Sequence, residues 1–146
     1  MNLWSGGEYD NSLNNIQCIQ NNQKCIITKD YSVNGETSFK LSRGGGTGYN
    51  WTRFLAPCTE KGKTMTAKLK IYTPNAGVHC YLCDMNGSTE GNHTGAYVII
   101  YPSNKIQEIT LTYTGTLSTL THYAIRIMLQ QDGTYCFIDD ICLTSN

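Results

Sequence analysis

The sequence predicts an all-β protein made of two antiparallel sheets packed face to face as a sandwich. Three observations carry that expectation. Apolar and polar residues alternate with period two in several segments, no segment sustains a helical period, and Pro57, Pro74 and Pro102 all stand where strands should end. A sheet with one apolar face must cover it, and a second sheet is the simplest cover.

In chain order the strand candidates are KCIITK, TSFKLS, NWTRFLA, KTMTAKLKIYT, VHCYLCD, AYVIIYP, EITLTYT, HYAIRIMLQQ and TYCFIDDICL, about nine in all. The first two flank the turn NGE. NWTRFLA follows the glycine cluster RGGGTG, which lacks the GK[ST] ending and following helix of a phosphate cradle and reads as a hairpin tip. In KTMTAKLKIYT, Met65, Ala67, Leu69 and Ile71 alternate with Thr66, Lys68, Lys70 and Tyr72, the mark of a half-buried strand. TPNAG ends it. In VHCYLCD, inward Val78, Cys80 and Leu82 send His79 and Tyr81 outward, and in AYVIIYP inward Val98 and Ile100 do the same for Tyr97. EITLTYT is amphipathic in the same sense. HYAIRIMLQQ puts Tyr123, Ile125, Ile127 and Leu129 on one face and Ala124, Arg126, Met128 and Gln130 on the other. The turns MNGS and QDG punctuate the second half.

A chain of 146 residues fits one domain, spanning 1–146, and no repeat or linker divides it. Eleven basic residues balance eleven acidic ones, so no net field draws nucleic acid or an anionic membrane, and no stretch approaches membrane-spanning length. The opening MNLWSGGEYDN has neither the basic nor the apolar region of a secretory leader. That leaves an extracellular protein whose leader has been replaced, or one made in a cytoplasm and released on a virion surface. Seven cysteines cannot all pair within the chain. Strand alternation sends Cys80 and Cys83 to opposite faces, which disfavours a zinc pair. Cys18 and Cys25 could bridge a loop, Cys136 and Cys142 share strand parity, and small buried hydrophobe is the default reading of the set. For catalysis there is no HExxH, GxSxG or P-loop. Asp84 and Glu90 are imaginable as a glycosidase pair, with a loop location the simpler account, and the expectation is a protein that is not an enzyme.

From end to end the landmarks resemble the galactose-binding-like jelly rolls, in particular the carbohydrate-binding modules appended to xylanases and cellulases. NLWSGGEYD is similar to the family's Asn-Leu opening, with its glycine, acid, aromatic and second acid; NGETSFKLS resembles its Gly-x-x-Ser-hydrophobic-Lys strand. GKTMTAKLKIYT sits where the family has a Gly-Lys-x-Tyr strand, QEITLTYT resembles its amphipathic strand before the last hairpin, and CFIDDICLTS its closing aromatic-Ile-Asp-Asp strand. Met65 in place of the middle strand's Tyr, and the cysteine content, are departures. The resemblance implies a jelly roll and a structural calcium tying the N-terminal segment to the last strand. Asp10 matches the family's N-terminal acid, Asp139 or Asp140 the C-terminal one, and carbonyls near Gly35 to Ser38 would complete the shell.

A sugar-binding face combines rings that stack on pyranoses with planar side chains that fix hydroxyls. Parity nominates Trp51, Arg53, His79, Tyr81, Tyr97 and Arg126 for it. The same tyrosines could instead plug sandwich edges or an oligomer interface, and Trp4 reads as a packing anchor. Two functions follow as expectations: recognition of a polysaccharide or cell-surface glycan, and a structural or appendage subunit of a virion that uses the fold for assembly with virion or homo-oligomer partners.

Overall fold

The computed structural model describes residues 17–20, 22–33, 37–45, 50–91 and 96–145, the first stretch by its backbone alone. Eleven strands are described: β1 (Gln17–Gln20), β2 (Gln23–Thr28), β3 (Ser38–Arg43), β4 (Thr52–Pro57), β5 (Thr64–Tyr72), β6 (Val78–Asn86), β7 (Thr89–Glu90), β8 (Tyr97–Ile100), β9 (Gln107–Thr114), β10 (His122–Leu129) and β11 (Thr134–Ser145). They form two antiparallel sheets. One has the order β1-β4-β10-β6-β7 with β8 beside β6; the other runs β2-β3-β11-β5-β9. This is the two-sheet antiparallel sandwich that the alternation predicts, in keeping with the jelly roll that the resemblance implies. The two strands beyond the expected nine, β1 and β7, are too short to display a period.

The predicted inward residues meet between the sheets. Met65, Ala67, Leu69 and Ile71 of β5 are buried, as are Tyr123, Ile125, Ile127 and Leu129 of β10 and Val78, Cys80 and Leu82 of β6, all within one apolar cluster. Phe39 of β3 and Phe54 of β4 meet across it with ring centroids 5.4 Å apart. Removing any such side chain would cost the transfer free energy of its buried surface plus that of the hole left, about 2–5 kcal/mol for an aliphatic residue cut to alanine.

Asp84 belongs to this interior, at one end of the sandwich. Its carboxylate accepts from Tyr113 Oη at 2.9 Å and from the amides of Thr116 and Leu117 at 2.7 and 2.8 Å, pinning the segment after β9 to β6. Gly91 lies so close that a Cβ there would overlap Asp84 Oδ1. On β11 the pairing with β5 slips between Asp139 and Cys142, and Asp140 takes the left-handed conformation at φ 51°. That bulge corrects one expectation. The extra residue flips the alternation, so Cys136 points into the core while Ile141 and Leu143 replace Cys142, which turns outward. Cys25 of β2 is buried, and the loop bridge to Cys18 considered from the sequence lies outside the described residues. Cys80 lies in the core and Cys83 on the opposite face of β6, as alternation requires.

Candidate functional site

The site is built on the outer face of the β1-β4-β10-β6-β7 sheet. Register places Arg53 of β4 opposite Arg126 of β10, Arg126 opposite Tyr81 of β6, and Tyr81 opposite Tyr97 of β8. Four strands thus contribute one side chain each to a single row, because cross-strand neighbours share a face. Trp51 precedes β4 with the parity of Arg53, and the Arg53 guanidinium lies over its ring, 4.1 Å from the centroid. Arg126 stands 5.8 Å from the same ring and 5.6 Å from that of Tyr81. Tyr81 and Tyr97 stack at 4.8 Å. His79, next along β6, touches both phenols through Nδ1, 3.2 Å from Tyr81 Oη and 3.1 Å from Tyr97 Oη, while its Nε2 meets the Gln130 amide. All six residues nominated from the sequence therefore come together.

Glu90, like Gln130, belongs to the face without being among the nominated residues. The tip at Gly87, with φ 59°, turns the chain back so that β7 pairs with the end of β6 and Glu90 lies opposite Met85. From there the Glu90 carboxylate binds Arg53 Nε at 2.7 Å and Nη2 at 2.6 Å, and Arg126 Nη1 at 2.8 Å. The three side chains are only 11–13% exposed. Cys83 and Ala124, small and buried with Leu55 and Met85 in a second cluster on this face, leave room for the carboxylate to lie down. Glu90 and Asp84 accordingly sit on opposite faces of their sheet and do not form a facing pair.

Burial sets the electrostatics. It pushes the Cys83 thiol up to about 12, with the Glu90 carboxylate adding to the effect. It raises the Tyr81 phenol, helped by Tyr97, and lowers His79 below its ordinary value, so the imidazole that links the phenols to Gln130 is kept neutral. Beyond it lies a hollow of about 320 Å³ lined by His79, Met128, Gln130 and Arg43. Chemically the face offers ring edges and faces, neutral hydrogen-bonding groups, and two cations that share one carboxylate.

The nominated calcium ligands are less complete. Asp10, Gly35 and Glu36 lie outside the described residues, as does Trp4. Asp139 and Asp140 adjoin at the β11 bulge, where Asp139 Oδ1 accepts from the Asp140 amide at 2.9 Å and Lys70 Nζ stands 3.0 Å from Asp140 Oδ2. Among the described residues no three histidine, cysteine or acidic side chains gather as a metal site would require. A calcium ion takes six to eight oxygens, more than these two carboxylates supply.

No family model matches the sequence, and no curated protein does. Solved structures match the fold. The C-terminal family 22 carbohydrate-binding module of Clostridium thermocellum Xyn10B superposes with a TM-score of 0.71 at 14% identity, over 97% of this chain and 95% of that one. The family 11 module of the same organism, solved with a β-1,3-1,4-mixed-linked tetrasaccharide, gives 0.65 at 15% identity over 94% of each chain. A tailspike protein of bacteriophage CBA120 gives 0.66 at 15% identity, over 99% of this chain and 21% of that one.

Proposed function

We propose that this chain is a non-catalytic carbohydrate-recognition module, working outside the cell, that binds a polysaccharide across the outer face of the β1-β4-β10-β6-β7 sheet. The observation that carries the reading is the single cross-strand row Arg53, Arg126, Tyr81, Tyr97 beside Trp51. Rings along a flat sheet face match the apolar faces of successive pyranoses, and fixed guanidinium and phenol groups match their hydroxyls. The salt-bridged arginines hold their geometry before any ligand arrives, which lowers the ordering cost of binding. Trp51 and Tyr97 supply stacking surface; His79 and Gln130 orient the Tyr97 end. The carbohydrate-binding modules of the same fold lend support to this choice of ligand class. Structural calcium at Asp139 and Asp140, with Asp10, belongs to the same proposal.

The test is calorimetric titration with xylan, mixed-linked β-glucan and a panel of other neutral polysaccharides. At least one should bind, and Trp51→Ala and Tyr97→Ala should each weaken it tenfold or more while the fold survives by circular dichroism. Failure of every polysaccharide and cell-surface glycan to bind would overturn the reading.

A further inference from the structure

The opposite face of the sandwich carries a second set of rings that the first site does not use. On β2, β3 and β11 the register aligns Lys24, Ser42 and Tyr135 in one row and Ile26, Lys40 and Phe137 in the next, with Tyr72 of β5 continuing the second. Tyr31 stacks on Tyr72 at 4.3 Å with its ring nearly parallel, and lies 5.1 Å from Phe137. Tyr135 meets Phe137 edge-on at 5.6 Å. Lys40 Nζ hangs over both, 5.1 Å from the Tyr135 centroid and 5.7 Å from that of Phe137. An outer face of a sandwich is ordinarily polar; four rings and an ammonium packed on this one form a made surface rather than a solvated margin.

Beside the rings is a hollow of about 500 Å³, lined by Lys24, Lys40, Ser42, Arg43, Thr134 and Tyr135. Its charge is unbalanced. Arg43 is held by Asp132 at 2.8 Å and by the Leu129 carbonyl, but Lys24 and Lys40 have no carboxylate partner among the described residues. Two ammonium groups without a carboxylate partner among the described residues, flanking a hydroxyl and a half-exposed phenol ring, suit a ligand that is anionic, hydroxylated and flat on one side. We propose that this hollow is a second ligand site, distinct from the first, for an anionic pyranose unit carrying a carboxylate or a sulfate. The anion lies between Lys24 and Lys40, the sugar's apolar face on Tyr135, and a hydroxyl at Ser42 Oγ. Nucleic acid is the poorer occupant, because it calls for a basic stripe and the chain as a whole is neutral.

Titration of the full chain with a trigalacturonate and with a chondroitin sulfate tetrasaccharide, at low and at high salt, tests the proposal. At least one should bind, at least tenfold more weakly in the Lys24→Glu/Lys40→Glu double variant and in Tyr135→Ala, more weakly in high salt, and within twofold of unchanged in Trp51→Ala. Binding by neither, loss of binding in Trp51→Ala, indifference to the lysine reversals, or equally tight binding of a short oligonucleotide would each overturn it. Because the first site is read with neutral glycans and Trp51→Ala, the two proposals fail separately.

Discussion

Replacing Glu90 by glutamine keeps the shape of the first site and removes the charge that organises it. In the native protein one carboxylate faces two guanidinium groups at 2.6 to 2.8 Å, with all three side chains nearly nine-tenths buried. Taking away one partner of a buried ion pair costs about 3–5 kcal/mol, most of it from the charge left behind. Here the amide oxygen still accepts one hydrogen bond and the remaining exposure admits some water, so the lower end, about 3 kcal/mol, is expected. An unfolding entropy of about 2.1 cal/mol/K per residue gives roughly 0.3 kcal/mol/K for a chain of this length, hence a melting temperature lower by about 10 °C. Thermal denaturation followed by circular dichroism reads it directly. A triple variant, Arg53→Met, Arg126→Met and Glu90→Met, should recover most of the loss, since well-packed apolar residues can replace a buried charge cluster. A Glu90→Gln melt within about 2 °C of the wild type would refute the claim that this carboxylate holds the two arginines in place.

Three further outcomes are expected. Asp84→Asn should lower stability by about 1–3 kcal/mol in urea denaturation, because one carboxylate oxygen becomes an NH₂ that faces either the Tyr113 hydroxyl or the two backbone donors, yet leave glycan affinity within twofold of wild type. His79, kept neutral by burial, adds stability that is present above its ordinary value of about 6.5 and disappears as the pH falls through its lowered folded value; neutral-glycan affinity should weaken over the same descent, and His79→Gln should flatten both profiles. If calcium binds at Asp139 and Asp140, a melt in excess calcium should exceed one in chelator, by about 9 °C when the ion is at a hundred times its Kd, and Asp139→Asn should erase the difference; coincident melts would reject the site.

What alternation can determine, the sequence reveals: Val78, Cys80 and Leu82 inward fixes Tyr81 outward, and the same rule placed Arg53, His79, Tyr97 and Arg126 on a surface. Which strands stand side by side is a matter of topology. Arg53 and Arg126 are opposite one another through pairing between distant strands, and nothing local in either segment encodes that neighbour. Glu90 escaped for a different reason, since a two-residue strand has no period and its partner is known only once the Gly87 tip has closed. Cys142 was misplaced because a single left-handed residue, Asp140, inverts every side chain after it. The second aromatic face stayed hidden because β11 is apolar on both sides, Cys136 and Ile138 inward and Phe137 outward, so its pattern marks burial without saying what covers the outer ring.

The two outer faces solve the same problem in different ways. Each stacks rings against cations across neighbouring strands, and in each the rings keep the long side chains from collapsing into solvent. They differ in what balances the charge. On the first face Glu90 pairs with both arginines, offsetting one of their two charges and fixing their geometry. On the second, Lys24 and Lys40 have no carboxylate partner among the described residues. A binding energy that rests on stacking and neutral hydrogen bonds changes little with salt, whereas one that rests on unpaired ammonium groups at an open surface is screened within about 10 Å at ordinary ionic strength. The position of one carboxylate, set by a two-residue strand, therefore separates two ring-bearing faces, one whose cations are partly offset and one whose lysines have no carboxylate among the described residues.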